Sequence, residues 1–205
     1  STTITGWTVL NQQIQLGSTS IAGFQSPIDS TYPANNGLLG DTSAATGTFS
    51  TQIVVDGSGD KSVQMQSSLS SASYAVTRGP ALVSDSQVSV NAGDTISFDW
   101  KAQGGSDAYD VYGYLLNTST GATVELLNET AASGNASTNW ATVSTTVPSS
   151  GTYKFVFVSG SFDFSGGQAL GAQLYIDNID VSSNRPSMVN ELSLIHISEP
   201  TRQWQ

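Results

Sequence analysis

The sequence predicts an all-β fold, a two-sheet β-sandwich of the jelly-roll type. Three observations predict it. Apolar residues recur with period two, clusters of turn-forming residues separate nearly all of the apolar segments, and no stretch carries the 3.6-residue period of a long helix. Many short strands with such punctuation form sandwiches and jelly rolls. At 205 residues the chain fits one large β domain.

The elements follow in chain order. Short strands are expected at residues 7–9, 14–16, 51–55, 62–66, 74–77 and 87–90. Ile96, Phe98 and Trp100 then face one way while Thr95, Ser97 and Asp99 face the other, the pattern of a half-buried strand. Strands at 111–116 and 123–128 follow, and Val143, Thr145 and Val147 alternate up to Pro148. The segment 153–158 is apolar on both faces, which predicts a central strand. In "QLYIDNIDV", Leu174 and Ile176 share a parity that Ile179 and Val181 do not. A β-bulge between Asp177 and Asn178 would restore the alternation and re-aim Asp177; a simple strand end is the other reading. The turns are "DGSGD", "NAGD", "QGGSD", "STG", "PSSG" and "SGG".

The body is expected to span residues 1–183, with a non-domain tail at 184–205. The tail holds two of the six basic residues and the only histidine, His196. Its stretch "LSLIHISEPTRQ" looks like translated sequencing-adapter DNA from about residue 192; a native extension is the alternative. No leader is visible at Ser1, as expected of an excised domain or a mature product.

Composition narrows the function. The net charge of −10 repels nucleic acid and anionic membranes, and no apolar run is long enough to span a bilayer. With no cysteine and with His196 set aside, thiol catalysis, histidine triads and histidine-ligated zinc drop out. The only body glutamates, Glu125 and Glu129, fall on a strand and are expected to face solvent. The expectation is a non-enzyme. Sparse lysine, abundant Ser and Thr and the absence of disulfides fit a secreted or bacterial cell-surface protein.

Acid-bearing turns point to Ca²⁺, which takes six to eight oxygen ligands from carboxylates, carbonyls, amides and water. Asp107 and Asp110 lie three apart in "GGSDAYD", Asp163 sits in "SFDFSGGQALG", and Asp56, Ser58 and Asp60 have one-three-five spacing without a closing acid. Each of these loops also reads as an ordinary turn. Arg78, the only arginine of the body, is either an anchor for a ligand carboxylate or the partner of a nearby acid. Tyr112 and Tyr114 share a parity and pack on a sheet face. Tyr109, Phe162 and Phe164 are either exposed on loops or packed.

The stretches "TRGPALVSD", "QGGSDAYDVYGYL" and "GTYKFVFVSGSFDFSGGQALGAQLYIDNIDV" resemble the calcium-dependent peptide-binding domain of bacterial repeats-in-toxin adhesins, over roughly residues 5–181. The resemblance implies a calcium-braced sandwich that captures peptide C-termini on host or algal cells. On this chain it places Ca²⁺ on Asp107 and Asp110 at a hairpin tip, with Asp163 from a second loop at the same end and Asp177 as a further ligand. Arg78, Tyr109 and Gln168 would border the ligand pocket. The expected module is monomeric. A carbohydrate-binding, lectin-like jelly roll and a structural spacer of an adhesin stalk are the alternatives.

If Ca²⁺ binds only the folded chain, chelation should destabilise it. At about ten times the Kd, its removal with EGTA is expected to cost roughly 1.4 kcal/mol and to lower Tm by about 3–6 °C. An unchanged melt in calorimetry would rule out bound calcium under those conditions.

Overall fold

The computed structural model describes residues 3–14, 20–21, 24–25, 46–71, 76–105, 107–164 and 171–183. The tail at 184–205, Gln168 and two-thirds of the strand expected at 14–16 lie outside the described residues. Thirteen strands are present and, among the described residues, no helix. They are β1 (Trp7–Leu10), β2 (Ser20–Ile21), β3 (Phe24–Gln25), β4 (Thr46–Val55), β5 (Lys61–Ser71), β6 (Val76–Ser84), β7 (Val88–Val90), β8 (Thr95–Gly104), β9 (Ala108–Asn117), β10 (Thr123–Thr130), β11 (Ala141–Thr146), β12 (Gly151–Phe162) and β13 (Gly171–Ser182).

Two antiparallel sheets make the sandwich. The front sheet has the order β11-β8-β13-β5-β4; the back sheet has the order β1-β6-β12-β9-β10, with β7 also paired to β12. β2 and β3 pair only with each other. The chain passes between the two sheets after β5, β7, β8, β10, β11 and β12, which is the winding of a jelly roll. The segment 153–158 is central as expected, lying in β12 between β6 and β9.

Alternation decides what each face meets. Ile96, Phe98, Trp100 and Ala102 of β8 point inward, against Leu82, Val111, Leu115 and Phe157 of the back sheet. Phe98 meets Phe157 edge-on at 5.1 Å between centroids. The back sheet is buried on its other face too, where Tyr112, Tyr114, Leu116, Val156 and Val158 form a second cluster with Ile14. Tyr112 and Tyr114 pack together there as their parity requires, 5.4 Å apart. Burial pushes the Tyr114 phenol far above the usual tyrosine range, with Tyr112 adding to it.

Three expectations change. The strand expected to end at Thr77 instead runs, as β6, through the cis peptide Gly79–Pro80 to Ser84. The ladder with β12 breaks there: Val158 pairs with Ala81 and Gly160 with Arg78, so Gly79 and Pro80 together stand opposite Ser159 as a bulge, where no ladder N–H is asked of Pro80. The second difference concerns "QGGSD", which is no hairpin. Both β8 and β9 place an apolar face in the core, and they do so from opposite sheets, so the turn is a crossing between layers. Tyr109, thirdly, which the resemblance set at the border of a ligand pocket, takes the packed one of its two sequence readings: it is 9% exposed, because it shares the inward parity of Val111 and Leu115.

Arg78 and Asp110 form an ion pair of 2.8 Å with side chains 2% and 1% exposed. They reach each other over Gly160, where a Cβ would run into the Asp110 carbonyl and press on Arg78 Cγ at 3.3 Å. Removing one partner of a buried pair leaves a charge in a dry site. Arg78→Met is expected to cost about 3–5 kcal/mol, and Arg78→Met with Asp110→Leu considerably less. Guanidinium denaturation of the two variants checks this.

Candidate functional site

The acidic turns come first, since the sequence singles them out. Asp107 and Asp163 do lie at one pole, where the turn after β8 meets the segment after β12. Ser161 and Phe162 pair with Tyr109 and Ala108, and the Phe164 N–H, next to Asp163, donates to Asp107 Oδ1 at 3.1 Å. The same oxygen accepts from the Ala108 N–H at 3.0 Å. Both aspartates are buried, at 2% and 4% exposure. Phe162 is core, while Phe164 is 49% exposed.

Asp110 does not join them. Its Oδ2 accepts from Arg78 Nη2 at 2.8 Å and its Oδ1 from Thr130 Oγ1 at 3.0 Å, so both carboxylate oxygens already have donors. Arg78 is thereby the partner of a nearby acid, the plainer of its two sequence readings. Asp177 stands six residues along β13 from Gly171, about 20 Å away at strand rise, and so well away from that pole. The expected bulge is there: the register against β8 shifts between Asp177 and Asp180, and Asn178 has φ 50°. Asp177 Oδ1 caps the Asn178 N–H at 2.8 Å. Among the described residues no three acidic or histidine side chains converge as a metal site.

The wet face of the front sheet holds what sequence reasoning missed. Registers place Lys101 beside Tyr175, Tyr175 beside Gln64, and Gln64 beside Gln52. Trp140, just ahead of β11, caps this row next to Lys101. A second row sets Gln103 beside Gln173 and Gln173 beside Gln66. A third sets Thr142 beside Asp99 and Asp99 beside Asp177. The rows cross the strands, so neighbours in a row come from distant parts of the chain.

The rows are tied by hydrogen bonds. Gln52 Nε2 donates to Gln64 Oε1 at 2.6 Å, and Gln64 Nε2 donates to the Tyr175 hydroxyl at 2.7 Å. That hydroxyl lies 2.6 Å from Gln173 Oε1 and 3.2 Å from Gln103 Oε1. Its one proton serves a single acceptor at a time, so the nearer Gln173 takes it. Trp140 and Tyr175 stand edge-to-face at 6.2 Å, and the Lys101 ammonium lies 4.3 Å from the Tyr175 centroid and 5.3 Å from that of Trp140. These side chains fix one another, yet Trp140 keeps 44% of its surface exposed.

A groove of about 380 Å³ opens beside this platform, floored by Asp99, Lys101, Tyr175 and Asp177 and bounded by the turn from Asp56 to Asp60. Asp56 Oδ1 accepts from the Ser58 and Asp60 N–H groups, so the "DGSGD" turn closes on itself. Asp99 accepts from Thr142 Oγ1 at 2.5 Å and from Asn178 Nδ2 at 2.8 Å. Those donors, Thr142 first, hold its carboxyl below the usual carboxylate range.

No protein-family model matches the chain, and no curated protein matches it. Among solved structures, the chain is similar to the enzymatically active domain of tailspike protein 4 of bacteriophage CBA120 (12% identity, 88% of this chain and 20% of that one, TM-score 0.42). It is also similar to a carbohydrate-binding module specific for non-crystalline cellulose (9% identity, 65% and 80% covered, TM-score 0.41). A third is the family 11 carbohydrate-binding module from Clostridium thermocellum, in complex with a β-1,3-1,4-mixed-linked tetrasaccharide (10% identity, 88% and 91% covered, TM-score 0.40). At these scores and identities the likenesses carry no argument about function.

The Asp99 geometry sets a pH dependence. A carboxyl held below its unfolded value of about 3.9 contributes stability above that value and loses it as pH falls through the folded pKa. Thr142→Val is expected to raise the Asp99 midpoint toward the unfolded value. Carboxyl-detected NMR titration of both proteins reads the shift.

Proposed function

We propose that the protein is a non-catalytic module that binds a neutral polysaccharide chain across the outer face of its front sheet. The observation that carries this is the row Trp140–Lys101–Tyr175–Gln64–Gln52. Sugars present apolar ring faces and a rim of hydroxyls. An exposed indole stacks on the first, and amides that both donate and accept answer the second. The row spans the sheet, and four gaps between strands at about 4.8 Å give roughly 19 Å, room for consecutive sugar units rather than one.

Charge favours a neutral ligand. The groove sets Asp56, Asp60, Asp99 and Asp177 against Lys61 and Lys101, which disfavours an anionic chain. Chemistry favours binding over cleavage. Glycoside hydrolysis needs a carboxyl kept protonated as general acid, and the donors on Asp99 favour the opposite state.

Peptide-end capture at the other pole is the second reading, favoured by Asp107 and Asp163 being drawn into one turn cluster through Phe164. In it, Ca²⁺ held by Asp107 and Asp163 would meet the ligand carboxylate, and the protein would serve as a secreted adhesin module.

A glycan array beside a library of peptides with free C-termini, each with and without EGTA, tests both. Binding to neutral glycans that survives EGTA is expected. Trp140→Ala should weaken it by about 2 kcal/mol or more, roughly thirtyfold. Chelator-sensitive peptide binding that Trp140→Ala leaves intact would instead support the second reading and overturn the first.

A further inference from the structure

The ladder between β5 and β13 runs from Ser68–Gly171 to Val63–Ile176 and stops there. Beyond it β13 bulges at Asn178 and rejoins β8 at Asp180–Ser97. β5 meanwhile stays with β4 through Ser62–Val54 and Lys61–Val55. The front sheet is therefore split at this end by a slot between two strands that are paired everywhere else along their shared length.

Two cavities flank the slot. On the wet face lies the groove already described. Between the sheets lies a second cavity of about 490 Å³, walled by Trp7, Val63, Leu82, Phe155, Ile176 and Ile179. Lys61, Ser62, Asp177 and Asn178 line both. The inner volume falls in the range of small-molecule sites, and its wall is predominantly apolar, with the charged groups gathered at the slot. A polar chain lying only on the outer face would leave this apolar wall to water.

We propose that the slot admits an amphiphile, with a sugar head in the outer groove and an aliphatic chain passing between β5 and β13 into the cavity between the sheets. The ligand class is an alkyl or acyl glycoside. Because the same four residues border both cavities, a ligand with one polar and one apolar end is favoured over a second apolar molecule that ignores the groove. This inference rests on the sugar-binding reading of the groove.

The test uses the whole chain and three probes in titration calorimetry: cellotetraose, methyl β-D-glucopyranoside, and octyl β-D-glucopyranoside below its micelle threshold. The octyl glycoside should bind at least about tenfold more tightly than the methyl glycoside, since its added methylenes leave water. It should also shift the Trp7 indole N–H resonance, which cellotetraose should not. Ile53 is 49% exposed at the mouth of the inner cavity. Ile53→Asp should abolish the octyl gain and spare cellotetraose. Val88→Phe, which fills the cavity from the other sheet, should do the same and guards against a folding defect in the first variant. Equal affinity for the two glucosides, or a gain that survives both substitutions, overturns the proposal. Cellotetraose binding without an octyl gain overturns it while leaving the sugar reading standing. Octyl glucoside binding no tighter than the methyl glucoside, with cellotetraose silent, overturns both.

Discussion

The two sheets are buried unequally, and the rest of the molecule depends on that. In β9 every residue from Ala108 to Leu116 is buried, whichever way it points. Such a strand has no room for solvent-seeking side chains, so the back sheet spends its sequence on packing. β8 alternates buried and half-buried positions, and only its even-numbered residues enter the core. Its odd positions are free to carry Asp99, Lys101 and Gln103. The polar surface exists because one layer needs only half of its side chains to hold the sandwich together.

Much of the fold was legible because it is local. The inward faces of β8 and β12, the bulge at Asp177–Asn178 and the tyrosine pair at 112 and 114 follow from parity alone. Tyr109 stayed open between loop and core because a glycine pair before it reads as turn, whereas β9 begins at Ala108. The groove was not legible. Trp140 signals itself only as an aromatic among polar residues ahead of an alternating strand. Gln64, Lys101 and Tyr175 each look like ordinary outward positions. What makes them a row is the strand order, which sets β13 between β8 and β5, segments that the chain visits far apart. Parity tells which face a residue takes; it does not tell who stands beside it.

The acids illustrate the same limit. Sequence gives their turns but not their partners. Asp110 is drawn to Arg78 on the back sheet, Asp107 and Asp163 gather at one pole, and Asp99 and Asp177 look out from the middle of the front sheet. Three neighbourhoods share a charge that looks uniform along the chain. Of the four basic residues before the tail, Arg78 is enclosed, while Lys61 and Lys101 both attend the groove. That pairing sets two lysines among the groove's aspartates on an otherwise acidic chain.

β4 ends the front sheet, and among the described residues nothing pairs with its free side. Ile53 and Val55 are 49% and 59% exposed along it. An open row of peptide groups beside apolar side chains is a template on which a second molecule can add its own strand. Mutual repulsion between chains carrying a net −10 keeps such edges apart. Acid or concentrated salt would weaken that repulsion and leave the backbone chemistry untouched. Its colloidal behaviour therefore depends on how well its ionisation shields this unpaired border as well as on how firmly the sandwich is folded.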